Sequence, residues 1–269
     1  MTAELLGKSV LITGADRGIG KGIALAFAKA GARIAAHGLI EPDAALRLTA
    51  ELQAAGSSHS RYFGGDLRDV NQIDALMAEV FAWGRLDILV NNAGIQHTAP
   101  IAAVTADLWN DILAVNLSAA FHTMRHALPR MAKASYGRVI NIASVHGLVA
   151  SVSKAPYVSA KFGLVGLSKV AALEYADTGS ADSGGVTVNC ICPGWVDTAL
   201  VAPQIAERRE ELGGVSTEAA IDALLAEKQP SRRLSSPAEI ARLAVWLCAR
   251  DAHNITGTAI PVDGGWTAQ

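Results

Sequence analysis

The sequence predicts an α/β protein of the doubly wound type, with a parallel seven-stranded sheet of the Rossmann type and helices on both faces. Short apolar runs alternate with segments of helical periodicity along the whole chain. Such alternation requires parallel strands joined by right-handed crossovers. Glycine-rich turns follow several of the runs, as expected where a sheet binds its ligand beyond the carboxyl ends of the strands.

The predicted elements follow from these patterns. Apolar runs of strand length occur at 9–13, 33–37, 61–63, 86–91, 138–143, 186–192 and 259–262. Apolar side chains recur at helical spacing in 18–30, 42–55, 71–83, 107–133, 157–176 and 237–248. In the first of these helices, Ile19, Ile23 and Phe27 share one face and Gly31 marks the end. Each crossover helix thus returns the chain to a parallel strand.

Two segments interrupt the alternation. Residues 177–185 (DTGSADSGG) form a small polar loop, which we expect to be exposed to solvent. Residues 203–229 are a helical insertion next to the ligand edge, and we expect 195–229 as a whole to act as a lid over the substrate. Because there are neither repeats nor a linker, we expect 1–269 to be a single domain.

Composition excludes several classes of function. A net charge of -2 over 269 residues offers no sequence-wide basic surface for nucleic acid and no polybasic patch for a membrane. The N-terminal stretch Met1–Lys8 has too few consecutive apolar residues for a signal peptide, and no run approaches the roughly 20 residues of a membrane span. The three cysteines are predicted to be structural, and no metal site is expected. We therefore expect a cytoplasmic protein.

The turn after the first strand is a candidate phosphate-binding loop. Its sequence is TGADRGIG, in which Gly14, Gly18 and Gly20 permit a sharp turn and close approach of a pyrophosphate. The following helix offers free N–H groups and the positive end of its dipole. The same glycine spacing also occurs for packing reasons alone, so the loop needs support from other positions.

Further turns provide that support because they fall at the same edge of the sheet. Asp66 follows the third strand, where a carboxylate can accept a hydrogen bond from an adenine amino group, although it also suits a helix cap. Asn91–Gly94 (NNAG) ends the fourth strand, and Pro193-Gly194 ends the sixth, with Thr198 four residues beyond. Each is compatible with an ordinary turn, but together they indicate a dinucleotide site.

A candidate catalytic group lies in YVSAK. Tyr157 and Lys161 are four residues apart and therefore share a helical face. A phenol with a pKa near ~10 is a poor base at neutral pH, and a neighbouring ammonium favours the phenolate. Ser144 follows the fifth strand and can hydrogen-bond a substrate oxygen, while Asn116 inside a helix can hold a water or backbone group linked to Lys161. The alternative is that Tyr157 and Lys161 are an ordinary surface pair and that Asn116 makes a hydrogen bond in the core.

These motifs resemble the short-chain dehydrogenase/reductase family from the first strand to the C-terminus, on TGADRGIG, NNAG, Asn116, Ser144, YVSAK and PGWVDT. The resemblance implies an oxidoreductase in which Tyr157 is the acid/base, Ser144 orients the substrate oxygen, Lys161 binds the ribose and tunes the phenol, and Asn116 anchors a proton relay. It also implies a homotetramer or homodimer built on the helices 107–133 and 157–176. The cofactor-binding positions that it implies are Gly14, Arg17, Gly18, Ile19, Gly20, Asp66, Leu67, Asn92, Ala93, Gly94, Tyr157, Lys161, Pro193, Gly194, Val196 and Thr198.

Further segments resemble the soluble bacterial branch of the family that oxidises D-3-hydroxybutyrate to acetoacetate. These segments are NNAGIQH, ASVHG, PGWV, EKQPS and DGGWTAQ. The resemblance implies that a carboxylate is held by Gln96, His146, Lys154 and Gln204, and that Trp195 and Trp266 enclose the methyl end. A charged substrate in a dry pocket needs such donors, although each of these residues also suits an ordinary loop, core or subunit contact.

The cofactor is predicted to be NAD rather than NADP. Arg17 stands where NADP-preferring relatives often carry a basic residue, while the end of the second strand (HGLIEP) has neither the acid expected for NAD nor a base for a 2′-phosphate. The 3-hydroxybutyrate branch also lacks that acid, and this favours NAD. One alternative is an NADPH-dependent 3-ketoacyl or broad ketone reductase. Another is a catalytically silent dinucleotide-binding sensor module.

Overall fold

The computed structural model describes residues 5–268, so Met1–Glu4 of the N-terminal stretch and Gln269 lie outside it. Within those residues, one sheet of seven parallel strands has the order β3-β2-β1-β4-β5-β6-β7. The strands are β1 Ser9–Ile12, β2 Arg33–Gly38, β3 Ser60–Gly64, β4 Ile88–Asn91, β5 Tyr136–Ile142, β6 Gly185–Pro193 and β7 Ala259–Val262. The predicted fold class is confirmed.

Helices cover both faces of the sheet. They are α1 Gly18–Lys29, α2 Pro42–Ala54, α3 Val70–Trp83, α4 Ala106–Leu113, α5 Ala119–Lys133, α6 Ala155–Glu174, α7 Ala202–Glu211, α8 Thr217–Ala226 and α9 Pro237–Leu247. Along β1, Val10 and Ile12 pack with α1, α2 and α9, while Leu11 packs with α3, α5 and α6. Both faces of each central strand are therefore buried, as is typical of parallel sheets.

The strand order reverses between β1 and β4, whose residues pair directly at Val10–Ile88 and Ile12–Val90. A doubly wound sheet has its ligand crevice at this switch point, because the crossovers on the two sides lead to opposite faces and leave the carboxyl ends open. The TGADRGIG loop follows β1 and the NNAG turn follows β4. Both therefore border the crevice.

The helix predicted over 107–133 differs from the structure in one respect. A π-helical turn, Ala114–Ser118, separates α4 from α5. The Asn116 side-chain amide donates to the Ile112 carbonyl at 2.9 Å. That carbonyl would otherwise accept the Asn116 backbone N–H in a regular α-helix, so the side chain competes with the ladder and shifts it to wider spacing. Such π-turns are frequent at functional sites.

The two interrupting segments are found where the sequence predicts them. Helices α7 and α8 form the helical insertion, and the turn between them contains Gly213 and Gly214, which both have positive φ. The loop after α6 carries mostly exposed residues. Within residues 5–268, no helix is long and apolar enough to cross a membrane, and no three His, Cys, Asp or Glu side chains cluster as a metal site would require. Cys190, Cys192 and Cys248 are buried free thiols.

Candidate active site

The β1 and β4 loops are tied to each other by side chains. The Thr13 hydroxyl accepts from the backbone N–H groups of Asn92 and Ala93, at 2.9 and 3.0 Å. The Asn92 amide in turn donates to the carbonyls of Thr13 and Gly14, at 2.9 and 3.0 Å. These bonds hold the glycine loop against the NNAG turn and so fix the floor of the crevice.

The crevice is a cleft of about 610 Å³ above this floor. Most of the predicted cofactor positions line it, namely Gly14, Arg17, Gly18, Ile19, Gly20, Asp66, Leu67, Asn92, Ala93, Gly94, Tyr157, Lys161 and Thr198. Such a volume lies within the usual range for sites of small molecules and cofactors. The cleft is lined by residues from the end of β2 to Tyr157.

The glycine loop has the geometry of a dinucleotide cradle. Gly14 and Gly18 have φ of 63° and 52°, a region that favours glycine. A Cβ on Gly14 would lie 3.1 Å from the Cα of Ala93, and a Cβ on Gly20 would overlap the Gly14 carbonyl oxygen. Only glycine at positions 14 and 20 therefore allows this loop to pack against the NNAG turn. The residues present fit a dinucleotide.

Asp66 lines the cleft but its carboxylate already has partners. Both oxygens accept from the Arg68 guanidinium, which also contacts Asp111 at 3.2 Å. The Arg68 guanidinium holds the pKa of Asp66 below its usual range. Each Asp66 oxygen accepts two contacts from the Arg68 backbone N–H or guanidinium, so Arg68 occupies the lone-pair positions of this carboxylate.

Three predicted cofactor positions after β6 do not line the cleft. Gly194 donates its N–H to the Val262 carbonyl at 2.9 Å, and a Cβ there would lie 2.9 Å from Asp263. Pro193 pairs with Val262 in the sheet, and Val196 is buried in the core against α9 and its neighbours. The turn that begins at Gly194 thus packs on β7, and only Thr198 reaches the cleft.

Tyr157 lines the cleft from the first turn of α6. Burial raises its pKa, and the neighbouring Ser144 hydroxyl acts in the opposite direction. The Lys161 ammonium lies 5.7 Å from the centre of the phenol ring. That Lys161 and an oxidised nicotinamide together favour the phenolate stays a prediction of the sequence.

Lys161 and Asn116 lie beside each other below the tyrosine. The Lys161 ammonium is buried, donates to the Ile142 carbonyl at 2.8 Å, and burial lowers its pKa to about 8. The Asn116 amide donates to the Ile95 carbonyl at 2.8 Å, and its Oδ1 has no hydrogen-bond partner within residues 5–268. A Cβ on Gly94 would lie 2.8 Å from this oxygen and 3.8 Å from the Lys161 ammonium, so both groups face the same point.

The predicted substrate residues fall into two groups near Tyr157, one in the cleft and one made of aromatic side chains. Gln96 lines the cleft. His146 packs edge-on against both Tyr157 and Trp266, with ring centres 6.1 and 5.4 Å apart. Trp195 stacks with Trp266 at 6.1 Å. The structure thus brings both indoles and the imidazole together beside the Tyr157 phenol.

Lysines border this aromatic group. Lys154 donates to the Gln204 side-chain oxygen at 3.1 Å and lies 5.7 Å from the centre of the Trp195 ring. Its contact with Gln204 joins the segment before α6 to the helical insertion. Burial and the positive charge of Lys154 lower the pKa of His146 to about 4, so the imidazole is neutral at pH 7.

Comparison with known proteins agrees with this geometry. Residues 8–209 match the short chain dehydrogenase family. The chain belongs to that family. It is 46% identical over 267 residues to a D-beta-hydroxybutyrate dehydrogenase of Cupriavidus necator, with 98% of this chain and 100% of the relative covered. It is 44% identical to a D-beta-hydroxybutyrate dehydrogenase of Rhizobium meliloti, with coverage of 97% and 99%.

A solved structure of a candidate NAD(P)-dependent gluconate 5-dehydrogenase from Beutenbergia cavernae, with bound NADP, superposes with a TM-score of 0.88. The identity is 32%, and both chains are covered in full. The predictions of an oxidoreductase and of this dehydrogenase family are thereby confirmed. Short chain dehydrogenases use a nicotinamide dinucleotide, either NAD or NADP.

One charged residue near the site has no role in the sequence analysis. Lys228 donates to the Ser151 hydroxyl at 2.8 Å and lies 5.4 Å from the centre of the Trp266 ring. Its positive charge contributes to the lowered pKa values of both His146 and Lys154. This lysine lies in the segment EKQPS, whose resemblance to the 3-hydroxybutyrate branch is the feature that could have identified it. The cluster therefore contains two ammonium groups rather than one.

Proposed function

We propose that the protein transfers a hydride between D-3-hydroxybutyrate and NAD, giving acetoacetate. The observation that carries the proposal is the position of Tyr157, which lies between the dinucleotide cleft and a group of two lysines and a histidine. A hydroxy acid bound there would place its carboxylate among cations and its carbinol at the phenol. The names of the two curated relatives support the same substrate.

The glycine loop, the NNAG turn and Thr198 would hold the dinucleotide, with the loop N–H groups directed at its phosphates. When bound, this group supplies the hydride acceptor. The cleft places Tyr157 and Lys161 at the end opposite His37 and Gly38. The chain therefore presents its proton-transfer group next to the end of the cleft where the nicotinamide would bind.

In the oxidation, the Tyr157 phenolate would take the hydroxyl proton of the substrate as the carbinol carbon loses its hydride. The Ser144 hydroxyl would orient that substrate oxygen. Ser144 is suited to this role because its Oγ already accepts from the His146 N–H at 3.1 Å, which leaves its own O–H free to donate. Burial raises the pKa of Tyr157, so the phenol is a strong base once it is ionised.

The proton would leave Tyr157 toward Lys161 and Asn116. A cavity of about 10 Å³ lies against Asn116, with Thr13, Asn91 and Thr123 as further polar lining. This is close to the smallest space that a single water occupies, and it has polar partners on several sides. We propose that Asn116 Oδ1 accepts from a water there and that the Asn116–Ile95 bond holds the relay in place.

Recognition of the carboxylate would fall to Gln96, His146, Lys154 and Gln204, with the Lys228 ammonium as a further cation. The described residues place no carboxylate near enough to raise the pKa of Lys154, which burial and Lys228 lower. An anion from outside is thus the group that balances this charge. Trp195 and Trp266 would enclose the methyl end with rigid apolar area. The positive charge of Lys154 and Lys228 suits a free carboxylate rather than an uncharged thioester, and this disfavours the 3-ketoacyl reductase alternative.

The proposal also covers the domain, the lid and the subunit contact of the protein. Residues 1–269 would fold as one domain, in which 195–229 close over the substrate through the Lys154–Gln204 bond.

Exposed apolar side chains lie on one face of α6, at Phe162, Val170 and Leu173, and Gly166 between them leaves room for close approach. This face supports a homodimer or homotetramer built on α5 and α6. A cytoplasmic location stays a prediction of the sequence.

The test is the appearance of reduced nicotinamide, followed by absorbance, with D- and L-3-hydroxybutyrate and with NAD and NADP. We expect turnover with the D-acid and NAD. Turnover of a 3-ketoacyl thioester with NADPH, without oxidation of either acid, would replace this proposal by the reductase alternative. Binding of dinucleotide without turnover of any substrate would favour the sensor alternative.

A further inference from the structure

The end of β2 has no acidic side chain of its own. In doubly wound dinucleotide-binding folds, a carboxylate there accepts from the ribose hydroxyls of NAD, whereas an arginine nearby accommodates the 2′-phosphate of NADP. Here β2 ends in His37-Gly38, and Leu39 follows with its side chain largely exposed. This part of the cleft therefore has no discriminating group from β2 itself.

A carboxylate reaches the same place from the glycine loop. Asp16 lies in TGADRGIG and lines the cleft together with His37 and Gly38. A Cβ built on Gly38 would lie 2.7 Å from the Asp16 Oδ1 and 3.2 Å from its Cγ. The Asp16 carboxylate thus occupies the space that a side chain at the end of β2 would fill. Glycine at position 38 is what makes room for it.

Among the described residues, the Asp16 carboxylate has one cationic partner, the solvent-exposed Arg17. The Asp16 side chain is 13% exposed, while that of Arg17 is 84% exposed, and the two approach only to 3.8 Å. The adjacent His37 accepts from the Gly14 N–H and bonds the Gly65 carbonyl through its two ring nitrogens. Burial lowers the pKa of His37, so it adds no positive charge at neutral pH.

We propose that Asp16 is the residue that sets cofactor choice, by accepting from the adenosine ribose hydroxyls of NAD and repelling the 2′-phosphate of NADP. The inference rests on the proposed use of NAD and adds the residue responsible for it. It also assigns a role to Arg17 that differs from its sequence interpretation. The guanidinium lies outside, in solvent, and its attraction for a phosphate is offset by the buried carboxylate next to it.

The test is equilibrium binding of NADH and NADPH in the absence of substrate, measured by fluorescence titration. The variants are Asp16→Asn, which keeps the shape and removes the charge, and Asp16→Ser, which also removes the bulk. Asp43→Asn, on the exposed first turn of α2, is the matched control for a lost negative charge. The readout is the ratio of the Kd for NADPH to the Kd for NADH.

We expect this ratio to fall on the order of 10- to 100-fold in both Asp16 variants and to stay unchanged in Asp43→Asn. Adding Arg17→Ala to Asp16→Asn should raise the ratio again, because Arg17 would then be the ligand that attracts the phosphate. The gain in NADPH binding should also weaken with added salt, since it depends on charge.

The outcomes separate this inference from the function on which it rests. A parent protein that binds NADPH as tightly as NADH would reject the proposed NAD preference and this inference with it. A parent that prefers NADH, with the same ratio in both Asp16 variants, would overturn the role of Asp16 alone. Equal shifts in Asp43→Asn and Asp16→Asn would also overturn it, because general surface charge would then explain the effect.

Discussion

Replacing Lys154 by methionine tests the carboxylate pocket at its best-defined contact. The ammonium donates to Gln204 at 3.1 Å and lies over Trp195, and the pKa of Lys154 is lowered by burial and by Lys228. Methionine keeps the unbranched stem against the indole and removes only the charge and the donors. Lys228→Met is the matched variant at the second ammonium, which Ser151 holds at 2.8 Å.

The size of the effect follows from the kind of bond that would be lost. A hydrogen bond to a charged group contributes about 1.5–3 kcal/mol, and about 1.4 kcal/mol corresponds to a factor of ten. Lys154→Met should therefore lower kcat/KM for D-3-hydroxybutyrate by roughly 10- to 150-fold. The loss should appear mainly in KM if the bond is equally strong in the ground and transition states.

The assay compares the acid with its methyl ester, both followed by absorbance of reduced nicotinamide. The ester lacks the charge, so Lys154→Met should treat it nearly as the parent does. Gln204→Leu removes the contact that joins Lys154 to the insertion, and it should also spare the ester if Gln204 binds the carboxylate. Equal losses for acid and ester in Lys154→Met would refute direct binding of the carboxylate by this lysine.

Three further predictions follow from the same structure. Tyr157→Phe should lower kcat by about 10²- to 10⁴-fold while NADH still binds in a fluorescence titration, and near-full turnover would show that another group is the base. The pKa of His146 is lowered to about 4, so its contribution to stability is complete above pH 6.5 and is lost as the pH falls toward 4. Urea unfolding at pH 7.5 and 4.5 should show that His146→Gln loses up to about 3 kcal/mol less than the parent over this range; equal losses would contradict the lowered pKa. Val170→Glu, on the exposed face of α6, should reduce the mass measured by light scattering, and an unchanged mass would place the subunit contact elsewhere.

The fold and the frame of the site could be predicted because their signals are local. The order of strands and helices follows from apolar runs and periodicity. The glycine loop follows from the glycine spacing in TGADRGIG, at positions where the structure leaves little space for a Cβ. The spacing of Tyr157 and Lys161 places both on one face of α6 by helical geometry alone. The resemblance carried by these motifs then indicated the family and the substrate residues.

Tertiary structure decided what depends on groups far apart in the sequence or on burial. Gly38 leaves the space that the Asp16 carboxylate occupies at the end of β2. Lys228 is held beside Trp266 by its hydrogen bond to Ser151, 77 residues away in the sequence. The pKa of Tyr157 is raised because the phenol is buried, and sequence spacing carries no measure of dielectric. The Asn116 amide likewise bonds the Ile95 carbonyl, 21 residues away, in the folded chain. Local patterns determine which elements form and where the catalytic groups stand along them, whereas packing determines which charges face each other and how strongly water screens them.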